Sequence, residues 1–158
     1  MRWLLLASAM SMSGIGLAVA AEVERSIMID RPPAEVWAMA GPFCAIRRWH
    51  PAVASCELLE IDGKPHRRLE LTDGRAFLER EIERDEAGMR YRYAIERSSL
   101  PVAGHRATLR VEPAGTGARV IWKTAFTVKG GAGEAGLEAT TAGFHEAGLE
   151  GLWRGLQP

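Results

Sequence analysis

Between residues 56 and 128 the chain is a succession of short stretches in which apolar and polar residues alternate, each closed by a turn signal. CELLEI (56–61) runs into Asp62-Gly63-Lys64-Pro65, and HRRLELT (66–72) into Asp73-Gly74. AFLEREIER (76–84) ends at Asp85-Glu86-Ala87-Gly88, and MRYRYAIER (89–97) is interrupted by Leu100-Pro101. HRATLRVEP (105–113) turns at Ala114-Gly115-Thr116-Gly117 into ARVIWKTAFTV (118–128). A period of two sends successive side chains to opposite faces, and Asp-Gly between two such runs is a hairpin signal. Tyr91, Tyr93 and Ile95 therefore share a face. So do His105, Ala107, Leu109 and Val111, and so do Val120, Trp122, Thr124, Phe126 and Val128. About six antiparallel strands with one apolar and one polar face satisfy this pattern, and the apolar face needs a cover.

The cover is the C-terminal stretch. Apolar residues at 137, 144, 149, 152, 153 and 156 recur at helical spacing, so the spacing predicts one long helix, with His145 and Glu146 at its surface. Glycines at 136, 143, 148, 151 and 155 each cost such a helix about 1 kcal/mol against alanine. They mark either close backbone approach or space beside the helix. Ahead of the meander, residues 22–29 alternate as a strand. PAEVWAMA (33–40) reads as a short helix opened by proline, with Val36 and Trp37 turned inward. A second short helix is expected over 43–47, and Pro51 forbids its continuation.

The first twenty residues read as a secretory signal peptide: Met1-Arg2, an apolar run, then the small-residue motif Ala18-Val19-Ala20. The expected organisation is a leader at 1–20 and one domain at 21–158, periplasmic or secreted, with no membrane span once the leader is cleaved. The formal charge is zero over the full chain, and no nucleic-acid footprint or acidic tail is present. Export bears on Cys44 and Cys56, the only cysteines, which bracket Trp49-His50-Pro51. In an oxidising compartment they are expected to be bonded to each other, the alternatives being free buried thiols or a metal site. For metal, a second ligand pair at close spacing is missing, so no metal and no cofactor is expected.

Several polar residues fall among the apolar faces. A tight hairpin at Asp73-Gly74 would set Arg67 opposite Arg80 and Arg68 opposite Glu79. A regular turn at 85–88 would set Arg80 opposite Tyr93, making Arg80 an inward-facing cation; a slip of one residue would turn Glu79 inward instead. A buried arginine must be paired or must await an anion, so either a structural ion pair with Glu79 or Glu70 or a ligand clamp is implied. His50 is either a polar group at a cavity rim or a loop histidine capping backbone groups. His105 is either an acid/base group or a satisfied core residue. No Ser-His-Asp set, phosphate loop or pair of catalytic carboxylates is visible.

PPAEVWAMAGPF, FCAIRRWHPAV, RRLELTDG, the Glu-Arg of FLEREIERD, YRYAIERSSLP and VIWKTAF, in this order, resemble the START/Bet v1-like (SRPBCC) superfamily. They look closest to its bacterial polyketide cyclase/dehydrase-type members, over about 22–156. The resemblance implies an α+β helix-grip fold: a curved antiparallel sheet of six to seven strands around a long C-terminal helix, with two short helices after the first strand. It also implies an apolar cavity between sheet and helix, mouthed by 33–53, 62–65 and 98–104. Trp49, His50, Arg67, Glu79, Arg80, Tyr91, Tyr93, His105, Trp122 and Phe126 are the candidate cavity residues. The first functional expectation is a binding protein for a small apolar or amphipathic ligand. The second is a cyclase- or dehydratase-type enzyme using His105, Glu79 or Tyr93. The exported form is also similar to small periplasmic members associated with methanol oxidation clusters, which adds a third expectation: a periplasmic accessory protein acting on a larger enzyme partner.

Overall fold

The computed structural model describes residues 20–130 and 133–158. The apolar part of the expected leader lies outside the described residues. The element order is β1 (Ala21–Ile29), α1 (Pro33–Ala40), α2 (Ile46–Trp49), β2 (Val53–Ile61), β3 (Lys64–Leu71), β4 (Ala76–Asp85), β5 (Arg90–Ser98), β6 (Val102–Ala114), β7 (Gly117–Val128) and α3 (Glu134–Gly155). The seven strands form one antiparallel sheet in the order β1-β7-β6-β5-β4-β3-β2. The meander from β2 to β7 is closed by β1, which returns to pair with β7. The sheet curves around α3 in a helix-grip fold, and α3 lies against β1, β7 and α2. Among the described residues no helix is long and apolar enough to cross a membrane.

Alternation decides which side chains face the helix. Leu69 and Leu71 of β3, Phe77 of β4, Tyr91 and Tyr93 of β5, Leu109 and Val111 of β6 and Trp122 of β7 join one buried cluster with Val36, Ile46, Leu149 and Leu152. The outer face carries ion pairs such as Arg68–Glu57, Arg80–Glu96 and Arg92–Glu83. These are exposed or half-exposed and contribute little each.

Two registers differ from the tight-turn expectation. The β3–β4 turn spans one residue more, so Arg67 stands opposite Glu79, His66 opposite Arg80 and Arg68 opposite Leu78. Between β4 and β5 the ladder is irregular at two places, Leu78/Glu79 and Glu81/Glu83. Arg80 consequently pairs with Ala94 rather than Tyr93 and points to the outer face, where its Nε donates to Glu96 at 2.6 Å. Glu79 takes the inward position, because a shift of one residue exchanges the faces of a strand. The second short helix also starts later than expected, at Ile46, and ends at Trp49, with His50 extended directly before the proline.

Two glycines of α3 are required by close approach. A Cβ on Gly148 would lie 2.5 Å from His50 Cδ2 and 2.9 Å from Trp122 Cζ3, and one on Gly151 would collide with the carbonyl of Trp49. Close backbone approach, rather than space beside the helix, therefore accounts for these two. Gly148 and Gly151 are packed against the Trp49-His50 corner, and between Gly143 and Gly151 only Gly143 faces free space.

Candidate functional site

Between α3 and the β3–β7 part of the sheet lies a cavity of about 290 Å³. Leu69, Leu71 and Phe77 form its wall on the sheet side, and Phe144 and Ala147 on the helix side. Ile95 and Leu100 close the end near the β5–β6 turn. The partly exposed Arg75 and the exposed Thr140 stand at the rim. Six buried polar residues also reach the cavity: His50, Glu79, Tyr93, His105, Thr124 and His145.

The acidic wall is one half of a buried ion pair. Arg67 is fully enclosed, and its Nε donates to Glu79 Oε2 at 2.6 Å. Its Nη1 donates to the Phe43 carbonyl, and the guanidinium stacks on the rings of Phe43 (4.1 Å) and Tyr93 (4.8 Å). Burial is the largest influence on Arg67 and opposes its charge, but the Glu79 carboxylate together with Tyr91 and Tyr93 more than offsets it and raises the pKa above the ordinary arginine value. Nη2 is left without a partner. Arg67 sits behind the wall rather than in it; Glu79 and Tyr93 are what the cavity meets.

The three histidines come from three elements. His50 follows α2, and Gly148 lets it reach the helix. Its Nδ1 accepts from the Ala52 amide (3.1 Å), so Nε2 carries the hydrogen and donates to the Phe144 carbonyl at 2.9 Å. The ring also lies on Phe144, centroids 3.9 Å apart. His105 accepts from the Ile95 amide at Nδ1 (3.3 Å), which likewise places its hydrogen on Nε2. His145 stacks on Trp122 with centroids 4.4 Å apart, and its Nε2 is 3.0 Å from Thr124 Oγ1. Its Nδ1 is buried without a partner. Burial is the main cause that pushes all three pKa values down, His50 and His105 to about 4 and His145 to about 3. All three are neutral at pH 7. Tyr93 accepts from Trp122 Nε1 at 3.0 Å, and burial followed by the nearby Glu79 charge drives its pKa well above 10.0.

Of the ten candidates, the structure brings His50, Glu79, Tyr93 and His105 to the cavity. Trp49, Tyr91 and Trp122 are core residues behind it, and Arg67 supports Glu79. Two candidates lie elsewhere: Arg80 on the outer face, and Phe126 in a separate cluster with Ala21, Val23 and Ala142. His50 both lines the cavity and caps backbone groups. His145, expected at the surface, is 2% exposed. Its signal was the helical phase: with Leu149 four residues on and Leu152 seven residues on, it falls on the buried face. Cys44 and Cys56 form a disulfide with Cα atoms 5.5 Å apart, tying the turn before α2 to β2. No group of metal-ligating side chains occurs among the described residues.

The site can be compared with known proteins. No curated protein sequence matches the chain. Several solved structures do. A Thermobifida fusca protein is 30% identical, with 84% of this chain and 90% of that one covered and a TM-score of 0.74. The protein XoxI of Bacillus cereus is 25% identical, with 85% and 94% covered and a TM-score of 0.78. The ZhuI aromatase/cyclase from Streptomyces sp. R1128 superposes with a TM-score of 0.74 over 85% and 92% of the two chains. At 17% identity that likeness is one of fold. The model of the polyketide cyclase/dehydrase and lipid transport family matches residues 20–157. The chain belongs to that family, within the START/Bet v1-like superfamily whose helix-grip fold it shares.

Proposed function

We propose that this chain is an exported binding protein that holds one small apolar or amphipathic molecule between its sheet and α3. The observation that carries the reading is the cavity itself. Well-packed interiors leave few voids larger than a water molecule. Here about 290 Å³ stays open, walled by leucines, phenylalanines and an isoleucine with a few convergent polar groups. That combination, close to the lower end of ligand-site volumes, is the usual signature of a small-molecule site. Export is supported by the leader-like first twenty residues and by the Cys44–Cys56 bond, which suits an oxidising compartment.

A second reading is favoured by one observation: His105, Glu79 and Tyr93 converge on the same cavity. That is the set a cyclase- or dehydratase-type enzyme would use. Their states favour binding over proton transfer. Glu79 is engaged by Arg67, Tyr93 is held far from ionisation at neutral pH, and His105 has one nitrogen tied to the backbone. A filled core would favour an accessory protein, whereas here about 290 Å³ is open.

A hydrophobic fluorescent probe titrated into the native protein tests the binding reading. One-to-one binding is expected, and Ala147→Phe, which fills the cavity from the helix side, should abolish it with the fold retained. No uptake by the wild type would overturn the reading. Turnover of a ketone-bearing chain, lost in His105→Gln, would move the assignment to the enzyme.

A further inference from the structure

The cavity is selective in charge and polarity. We propose that its ligand is an uncharged molecule of about one or two rings whose single polar group is an oxygen acceptor, a carbonyl, seated against His105 and Tyr93. This inference rests on the reading of the cavity as a binding site and specifies what that site takes.

The size comes from the volume. An apolar cavity of about 150 Å³ holds benzene, so about 290 Å³ accommodates a compact bicyclic body and little more.

The lack of charge follows from the ion pair. Arg67 is the deeply buried cation beside the cavity, and it is committed to Glu79 and to the Phe43 carbonyl. What the cavity meets is the carboxylate side of the pair. A ligand anion would be desolvated against Glu79 with no cation facing it. A ligand cation would have to share Glu79 with Arg67 in the same enclosed space. Burying an unpaired charge is far more costly than burying a dipole. Arg75 at the rim is half-exposed and already tied to Asp73 at 2.8 Å. The histidines add no charge, since burial keeps all three neutral at pH 7.

The acceptor follows from the proton positions. His105 Nδ1 takes the Ile95 amide, so its Nε2 is a donor, and among the described residues no acceptor engages it. The Tyr93 hydroxyl oxygen is occupied by Trp122 Nε1, which leaves its hydrogen to donate. The two rings are neighbours on adjacent strands, centroids 6.0 Å apart, and both line the cavity. His50 offers nothing, because both its nitrogens are engaged.

The test uses the mature protein and four naphthalenes of matched shape at pH 7: 2-acetylnaphthalene, 2-ethylnaphthalene, 2-naphthoate and 2-naphthylmethylammonium. Dissociation constants come from calorimetry. The ketone is expected to bind about tenfold tighter than the hydrocarbon, the size of one or two net hydrogen bonds, and both ions at least about tenfold weaker than the ketone. His105→Phe should narrow the gap between ketone and hydrocarbon, leaving Tyr93 as the remaining donor. His105→Gln, which can accept from Ile95 and still donate, should retain part of the ketone preference. Equal affinity for ketone and hydrocarbon would overturn the acceptor inference while leaving the binding site in place. Tightest binding of the naphthoate or the ammonium would overturn the neutrality. Binding of none of the four would overturn both this inference and the binding reading.

Discussion

Arg67 and Glu79 stand directly opposite each other on β3 and β4, with Nε and Oε2 2.6 Å apart and both side chains almost free of solvent. The pair links the turn before α2, through the Phe43 carbonyl, to the wall of the cavity. Breaking it from one side leaves a buried charge alone. Arg67→Met and Glu79→Leu are each expected to destabilise the protein by about 3–5 kcal/mol, and the double variant by much less than their sum. Urea unfolding of the four proteins checks this; additive single effects would show that the partners act separately.

The disulfide should be complete in protein taken from an oxidising compartment. Thiol labelling of the denatured, unreduced chain is expected to find no free thiol, and Cys56→Ser should lower stability by about 3 kcal/mol, the restraint of a loop of this length. Two reactive thiols before reduction would remove the bond from the native protein.

The two kinds of glycine in α3 should respond in opposite ways. Gly148→Ala pushes a methyl group into His50 and Trp122 and is expected to cost about 1–3 kcal/mol. Gly143→Ala meets nothing within 4 Å and should gain up to about 1 kcal/mol from helix propensity. Thermal melts of both variants decide it; equal shifts would refute the packing at Gly148.

Stability should fall as the solution is acidified from neutrality. An unfolded histidine takes its proton near pH 6.5, whereas in the folded protein burial defers this to about 4 for His50 and His105 and about 3 for His145. Between these values the unfolded chain binds more protons, so stability is complete above about pH 6.5 and declines as pH drops through that point toward 4. Each histidine contributes on the order of 2 kcal/mol between pH 7 and 4.5. His105→Phe should flatten the slope between pH 6.5 and 4.5. An unaltered slope would mean that His105 titrates normally.

Export predicts that the mature protein begins at Ala21 or Glu22, as N-terminal sequencing of the extracytoplasmic fraction would show. A mature chain retaining residues 3–17 would refute cleavage.

Much of the architecture was legible because each strand follows one rule. Tyr91, Tyr93, Leu109 and Trp122 are buried where alternation puts them, and α1 starts at the proline that presets it. The ladder between strands follows no such local rule. Whether Arg80 or Glu79 faced inward depended on one extra residue in the Thr72–Arg75 turn and on two ladder irregularities, and neither leaves a compositional trace. His145 was misplaced because its polarity was weighed above its helical phase. The glycines were ambiguous for a different reason: what lies beside Gly148 comes from His50 and Trp122, both distant in the chain.

The Cys44–Cys56 bond has a mechanical consequence. It fastens the α2 corner to β2, and His50 hooks that corner to the Phe144 carbonyl in the middle of α3. One flank of the hollow is therefore riveted: the α2 corner cannot part from β2 or from the middle of α3 without breaking a covalent bond or the His50–Phe144 hydrogen bond.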